Sequence, residues 1–169
     1  MNSIIAQLDD VHLIYHEPRG ETEAVGGISL SVHKGAFVSI VGPSGCGKTS
    51  LLSIFAGILQ PSSGKAEVLG APPDPRANST GYMLQRDHLL GGMKQKAELI
   101  RTLAFSPELL LLDEPFSALD YQQRLLLADE VHSIIKRGGY TAVLVTHDIS
   151  EAICMSDRVI ILSERPARI

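Results

Sequence analysis

Hydrophobic and polar residues alternate along the first third of the chain in a pattern that predicts strands and turns. Residues 4–15 are rich in β-forming side chains. Residues 16–23 are polar and contain a proline and a glycine, which favours a loop or a hairpin turn. Residues 28–32 alternate apolar and polar with a period of two, as in a half-buried strand. The apolar run at residues 36–41 predicts a buried strand.

From residue 50 onward the pattern alternates between helices and strands. Helical spacing and capping signals predict helices at residues 50–59, 92–105, 121–137 and 150–155. Short apolar runs predict strands at residues 66–69, 80–84, 109–112, 140–145 and 159–162. Asp120 is expected to cap the third helix, and Gly138-Gly139 to end it. The alternation predicts an α/β fold, in which a mostly parallel sheet is flanked by helices and preceded by an N-terminal antiparallel β subdomain.

Composition narrows the class of protein. The 169 residues suit a single domain spanning 1–169, and 44% hydrophobic with 20% charged residues is ordinary for a soluble globular chain. The net charge of −4 gives no basic footprint, so nucleic acid is not an expected partner. No apolar run approaches the roughly 18 residues of a membrane span, and the first residues lack the features of a signal peptide. With only two cysteines, Cys46 and Cys154, a structural disulfide is not expected and a reducing, cytosolic setting fits.

A glycine-rich loop follows the strand at 36–41 directly: Gly42-Pro43-Ser44-Gly45-Cys46-Gly47-Lys48-Thr49. It fits G-x-x-x-x-G-K-[ST], whose backbone N–H groups wrap around nucleotide phosphates. In such a loop Lys48 reaches the β- and γ-phosphates and Thr49 offers its hydroxyl to Mg²⁺, and we include Ser50 in the predicted nucleotide site. Cys46 is interpreted as a small tolerated side chain rather than a nucleophile, because the loop uses backbone groups. The alternative is a glycine-rich turn without a ligand.

Two carboxylates, Asp113 and Glu114, follow the predicted strand at 109–112. Ligands of open α/β sheets bind at the carboxyl ends of the strands, where the glycine-rich loop also lies. We therefore expect Asp113 to hold Mg²⁺ through a water molecule and Glu114 to orient and polarise an attacking water. The alternative is that the pair is a solvated strand end.

The complete set of motifs resembles the ATP-binding subunits of ABC transporters, and most of all bacterial importer ATPases of the nitrate, sulfonate and taurine type. The matching segments are 42–49, Gln85, 91–96, 109–115, Ser117-Ala118-Leu119-Asp120 and Thr146-His147-Asp148. The resemblance implies a RecA-like P-loop NTPase fold and ATP hydrolysis with ATP and Mg²⁺. It also implies a homodimer or paired ATPase subunit, permease subunits as membrane partners, and a cytoplasmic location at the inner face of the cell membrane.

The resemblance further implies roles for single residues. Tyr15 matches the aromatic residue that stacks on adenine, Gln85 the glutamine that contacts Mg²⁺ and the attacking water, and His147 the histidine that contacts the γ-phosphate and Glu114. Residues matching the parts that reach the partner subunit are Gly91 and Gly92 in the signature and Asp120 in the D-loop. Taken singly, Tyr15 is equally an ordinary strand aromatic, Gln85 a surface glutamine and His147 a loop histidine.

The chain departs from this family between Gln85 and Gly91. The five intervening residues span at most about 17 Å, so we expect the family's helical subdomain to be absent there and the C-terminus to be shortened. Leu90 stands where the signature has a serine, which predicts an impaired site toward the partner subunit. One alternative is an ATP-binding deletion variant or remnant with little hydrolysis and no transport coupling. Another, a DNA-repair or chromosome-type ABC ATPase, is disfavoured by the acidic charge and the lack of heptads.

Overall fold

A computed structural model describes residues 3–18, 20–77, 79–83, 97, 100–117 and 119–169. The described strands are β1 (Ile4–Glu17), β2 (Gly20–His33), β3 (Phe37–Val41), β4 (Ser63–Val68), β5 (Thr80–Met83), β6 (Leu109–Asp113), β7 (Thr141–Thr146) and β8 (Arg158–Ile161). Three helices are described over their full length: α1 (Lys48–Phe55), α2 (Tyr121–Gly138) and α3 (Ile149–Met155). Residues 100–103 are also helical, and the rest of the helix predicted at 92–105 lies mostly outside the described residues.

The strands form two sheets. A three-stranded antiparallel sheet has the order β2-β1-β4, and a five-stranded sheet has the order β5-β6-β7-β3-β8. Every neighbouring pair in the larger sheet is parallel. The predicted α/β fold with an N-terminal antiparallel subdomain is thus confirmed. Because all five strands run the same way, their carboxyl ends meet at one edge, where the loops after β3, β6 and β7 lie.

The hairpin between β1 and β2 is longer than predicted. The segment 16–23 was expected to be a loop or a hairpin turn, and it is the end of the hairpin: His16 pairs with Glu21, and β2 already begins at Gly20. Backbone pairing between the two strands holds this polar stretch, and the side chains of the His16–Glu21 pair are exposed, so cross-strand pairing overrides local composition. The hairpin turn is therefore confirmed, but it is shorter than predicted, and pairing extends into the rest of the segment.

The parallel sheet is buried on both faces. Every residue of β3, β6 and β7 is buried, as continuous apolar strands under helices on both sides require. Leu109 and Leu111 of β6 pack into a core with α1 and the antiparallel sheet. Leu110 and Leu112 pack into a second core with α2 and Met155 of α3. The sheet therefore separates two apolar layers.

The helix ends follow the predicted capping. The Asp120 carboxylate accepts a hydrogen bond from the Gln123 N–H at 2.9 Å, and Gly139 ends α2 with φ 65°. Helix α1 begins at Lys48 and ends at Phe55, four residues before its predicted end. Within the described residues, no helix combines the length and apolar character that crossing a membrane takes.

Candidate nucleotide-binding site

The glycine-rich loop connects the end of β3 to the start of α1, and Lys48 folds back over it. The Lys48 Nζ donates to the carbonyl oxygens of Gly42 and Pro43, each at 2.8 Å, and the side chain is only 5% exposed. An ammonium group has three N–H donors, so these two bonds leave one for an anion in the loop. The lysine side chain is therefore fixed against the loop by its two bonds to loop carbonyls.

Close packing explains why the loop carries glycine and a small thiol. Gly47 has φ 119°, and a Cβ there would stand 2.8 Å from the carbonyl oxygen of Ala24 in β2. A Cβ at Gly42 would stand 3.1 Å from Leu162, just after β8. The Cys46 side chain is 2% exposed and packs in the core, which agrees with its interpretation as a small packing residue. The loop is pressed against both sheets.

Thr49 and Asp113 meet at the centre of the site. The Thr49 hydroxyl donates to Asp113 Oδ1 at 3.2 Å, although 64 residues separate the two. Asp113 is 1% exposed, and among the described residues its Oδ2 has no hydrogen-bond partner. Burial raises the pKa of Asp113 and the neighbouring Glu114 raises it further, while the Thr49 hydrogen bond, the nearby Tyr82 hydroxyl and Lys48 act in the opposite direction.

These groups fit a magnesium ion. A buried carboxylate oxygen without a donor, beside a hydroxyl oxygen, supplies the oxygen ligands that Mg²⁺ prefers. Mg²⁺ commonly takes one or two protein ligands and completes its shell with water and substrate phosphates. Thr49 and Asp113 are therefore a sufficient protein contribution.

Glu114 and His147 lie at the ends of neighbouring strands. His147 Nδ1 is 3.2 Å from Glu114 Oε2, and the Glu114 side chain is 18% exposed. Glu114 has φ 44°, while its N–H donates to the Val145 carbonyl at 2.9 Å and its carbonyl accepts from the Ser117 hydroxyl at 3.0 Å. A left-handed conformation costs a non-glycine residue roughly 1–2 kcal/mol and is typical of functional positions. The backbone thus aims the carboxylate toward the same edge as the loop.

A polar network that the sequence did not predict holds the turn containing His147. The Thr146 hydroxyl donates to Glu151 Oε2 at 2.6 Å and accepts from the Asp148 N–H at 3.0 Å. Arg124 of α2 donates to Asp148 Oδ2 at 3.0 Å. Burial raises the pKa of Glu151. Nothing in a single sequence marks Arg124, because its partner is fixed only by the packing of α2 against the start of α3. Glu151 lies five residues from its partner Thr146, in the turn between β7 and α3.

Of the remaining predicted site residues, some are described by the structure and the others lie outside the described residues. The Tyr15 hydroxyl lies 3.0 Å from the Ser50 hydroxyl, which places the ring of this β1 residue beside the first turn of α1. The Asp120 carboxylate is engaged in capping α2. Gln85, Gly91 and Gly92 lie outside the described residues. The structure therefore brings together Lys48, Thr49, Asp113, Glu114 and His147, with Tyr15 and Ser50 adjacent, whereas the chemical roles of these residues stay predictions.

The sequence is similar to known transporter subunits. Residues 25–90 match the family described as ABC transporter. An uncharacterized ABC transporter ATP-binding protein of Bacillus subtilis, YtlC, is 40% identical over 210 residues, which cover 96% of this chain and 81% of YtlC. The nitrate import ATP-binding protein NrtC of Synechococcus elongatus is 34% identical over 98% of this chain and 33% of its own length. The aliphatic sulfonates import ATP-binding protein SsuB of Pseudomonas putida is 34% identical over 86% of this chain and 69% of its own length.

Solved structures share the fold. MJ0796, a bacterial ABC transporter cassette solved as a dimer, superposes with a TM-score of 0.81 at 22% identity, over 94% of each chain. The protein cbiO1 of Clostridium perfringens superposes with a TM-score of 0.82 at 22% identity, over 100% of this chain and 88% of cbiO1. The alignment with YtlC spans 210 residues, more than the 169 residues of this chain, so the chain is shorter than the part of YtlC that it matches. The extent and identity of that match show that the chain belongs to the family of ABC transporter ATP-binding proteins.

Proposed function

We propose that this chain is the nucleotide-binding subunit of an ABC importer, and that it binds ATP with Mg²⁺ at the glycine-rich loop and hydrolyses it. One observation carries the proposal: the Thr49 hydroxyl and the buried Asp113 carboxylate, from separate elements, meet at 3.2 Å with one carboxylate oxygen unsatisfied among the described residues. The placement of Lys48 in the adjacent loop supports it, because this ammonium retains a donor for a phosphate oxygen.

Binding would draw on three parts of the chain. The backbone N–H groups of the loop and the N-terminus of α1 would hold the phosphates, with Lys48 at the β- and γ-phosphates. Thr49 and Asp113 would hold the metal, with Gln85 as a further predicted contact. Bound Mg²⁺ would neutralise charge on the phosphates. The Tyr15 ring, next to Ser50, would stack on the adenine.

Hydrolysis would use the acid pair at the end of β6. Glu114 would orient a water molecule for attack on the γ-phosphorus and accept its proton, while the bond between the γ-phosphorus and the β–γ bridging oxygen breaks and ADP leaves. His147, 3.2 Å from the Glu114 carboxylate, would keep that side chain in place and contact the γ-phosphate. The left-handed backbone at Glu114 supports this role, because it fixes the direction of the carboxylate.

The assembly is inferred from the relatives. NrtC and SsuB are named as import ATP-binding proteins, and MJ0796 is a dimeric cassette. By analogy, a homodimer or paired ATPase subunit would contribute its Gly91, Gly92 and Asp120 across the interface. Permease subunits would hold the pair at the cytoplasmic face of the cell membrane.

ATP binding without useful turnover is a second candidate function. It is favoured by the shortness of the chain against the YtlC alignment and by Leu90 at the serine position of the signature. We place the missing residues between Gln85 and Gly91, where the family has a helical subdomain. Restoring such an insert, with serine before Gly91, would raise ATPase activity sharply under this second candidate and little under the first.

Calorimetric titration with Mg-ATP tests the binding proposal. Wild type is expected to bind and Lys48→Ala to lose binding. Lys34→Ala, a change at an exposed lysine before the amino end of β3, opposite the end that carries the loop, is expected to bind as wild type does. No binding by wild type, or equal binding by wild type and Lys48→Ala, would refute the proposal. Steady-state phosphate release tests hydrolysis. Glu114→Gln is expected to reduce the rate by about 10²–10⁴-fold while sparing binding, and equal rates would mean that the site has no catalytic activity.

A further inference from the structure

The segment 163–169, after β8, turns back across the antiparallel sheet and is held in a fixed register. The Ala167 N–H donates to the Ala24 carbonyl at 3.0 Å, and its carbonyl accepts from the Gly26 N–H at 2.9 Å. The Ala167 side chain is completely buried. Within the segment, the Ser163 N–H donates to the Arg168 carbonyl at 2.9 Å. We call residues 163–169 the C-terminal strap.

The strap places one cation, Arg165, against the glycine-rich loop. Arg165 donates from Nη2 to the Gly45 carbonyl at 2.6 Å and from Nε to the same oxygen at 3.1 Å, across 120 residues of sequence. The guanidinium has five N–H donors, and these bonds use two. Among the described residues, no carboxylate forms an ion pair with Arg165. The remaining donors and the positive charge therefore stay available at the rim of the loop.

The bonded carbonyl belongs to Gly45, a residue with open space around it. Gly45 has φ 74° and no side chain, and a Cβ there would meet only Arg165, at 3.8 Å. Glycine rotates freely in this region, so the Gly45–Cys46 peptide is free to turn either its carbonyl or its N–H inward unless something holds it. In a planar trans peptide the two groups point in opposite directions. A carbonyl held by Arg165 therefore directs the Cys46 N–H to the other side, where it makes a long 3.3 Å bond to the Pro43 carbonyl.

We propose that Arg165 is a positioning residue of the nucleotide site. Its two hydrogen bonds to the Gly45 carbonyl hold the Gly45–Cys46 peptide with the carbonyl outward, so that the loop is pre-organised for a nucleoside triphosphate. This inference rests on the proposed ATP-binding function and deepens it. A carbonyl facing inward would repel phosphate oxygens, whereas an N–H donates to them. Pre-organisation raises affinity because the free loop no longer has to be ordered on binding.

The test compares Mg-ATP affinity and loop dynamics in Arg165→Ala and Arg168→Ala. Arg168 is an exposed arginine on the same strap, and in the described part of the chain its side chain makes no hydrogen bond to the glycine-rich loop. Arg165→Ala is expected to raise the dissociation constant about 5- to 20-fold, in line with the loss of a charged hydrogen bond. Arg168→Ala is expected to leave it within twofold. Arg165→Lys, which keeps the charge but not the fork, is expected to recover only part of the loss.

A second measurement separates positioning from general stability. Amide hydrogen exchange at residues 44–47 of the free protein should speed up in Arg165→Ala, while the melting temperature stays near that of wild type because Ala167 still anchors the strap. Wild-type affinity in Arg165→Ala, full rescue by lysine, or unchanged exchange at the loop would overturn the inference alone. Absence of Lys48-dependent binding in wild type would overturn the proposed function and this inference with it.

Discussion

Replacing Asp113 by asparagine is expected to stabilise the free protein and to weaken its response to Mg-ATP. The carboxylate is 1% exposed, its Oδ1 accepts from Thr49, and its Oδ2 has no partner among the described residues. Asparagine keeps the size of the side chain and an acceptor for Thr49, but it carries no charge to be desolvated. The charge that suits a metal site is therefore a cost to the free fold.

The direction of the pKa shift of Asp113 determines how the stability of the free protein changes with pH. Because burial raises the pKa of Asp113, the folded protein binds the proton more tightly than the unfolded chain does. Stability therefore falls as the pH rises from the ordinary aspartate pKa through the raised one, and the cost is constant above it. Removing a buried charge without a full set of partners gains about 1–3 kcal/mol. The lost attraction to Lys48 and the new amide donor offset part of this gain. We expect a net gain of about 1 kcal/mol, or about 2–4 °C in melting temperature for a chain of this size.

Denaturation between pH 4.5 and 8 measures both halves of the prediction. Without metal or nucleotide, Asp113→Asn should exceed wild type in free energy of unfolding at pH 7–8, and the difference should shrink toward pH 4.5. Mg-ATP at about 100 times its dissociation constant should add about 2.7 kcal/mol to wild type and much less to the variant. The order of stability would then reverse.

Asp157→Asn is the matched control. Burial raises the pKa of Asp157, but hydrogen bonds from Lys136 at 2.7 Å and from the Phe37 N–H at 2.8 Å outweigh it, and the pKa is lowered. Its carboxylate therefore stabilises the fold above the ordinary aspartate pKa, and the control should be less stable than wild type at pH 7. A folded Asp113→Asn protein that is less stable than wild type across the range would refute the burial argument. Equal stabilisation of wild type and Asp113→Asn by Mg-ATP would refute the metal assignment.

Two further predictions concern local backbone chemistry. Gly47→Ala should lower the free energy of unfolding by roughly 2–3 kcal/mol, because its Cβ would meet the Ala24 carbonyl at 2.8 Å. Gly35→Ala, also at positive φ but in open space, should cost only about 1–2 kcal/mol. Equal losses of the two variants in urea titrations would show that the close approach at Gly47 does not contribute to the cost. Asp120→Ala should cost about 1 kcal/mol through loss of the bond from the Gln123 N–H, with Asp120→Ser recovering most of it, and an unchanged midpoint for the alanine variant would argue against the cap.

The parts that the sequence predicted well are those set by short spacing or by sheet topology. The eight-residue loop fixes the position of Lys48 relative to Gly42, and the rule for strand ends of parallel sheets is enough to bring Asp113 to Thr49. The length of the β1–β2 hairpin was mispredicted, because cross-strand pairing decides it rather than local composition.

The bonds of Arg165 and Arg124 could not be predicted from the sequence, because they too join segments that are distant along the chain. Arg165 binds a carbonyl 120 residues away, and Arg124 binds an aspartate 24 residues away on another helix. An arginine at the surface of a chain carries no periodic signal, and its partner is fixed only when whole elements pack. Family resemblance supplied roles for Tyr15 and His147, and the packing of their elements places both beside the loop or the acid pair.

The leucines of β6 hold Asp113 and Glu114 at the end of a rigid strand. Since Leu109 and Leu111 belong to one apolar layer and Leu110 and Leu112 to the other, this strand cannot shift without disturbing both. Segments tied to two cores open only when most of the molecule opens, whereas surface turns fluctuate at little cost. In the proposed mechanism, the water oriented by Glu114 would therefore take its alignment from a strand that is among the most resistant to local opening, and motion of the surrounding loops would leave that alignment intact.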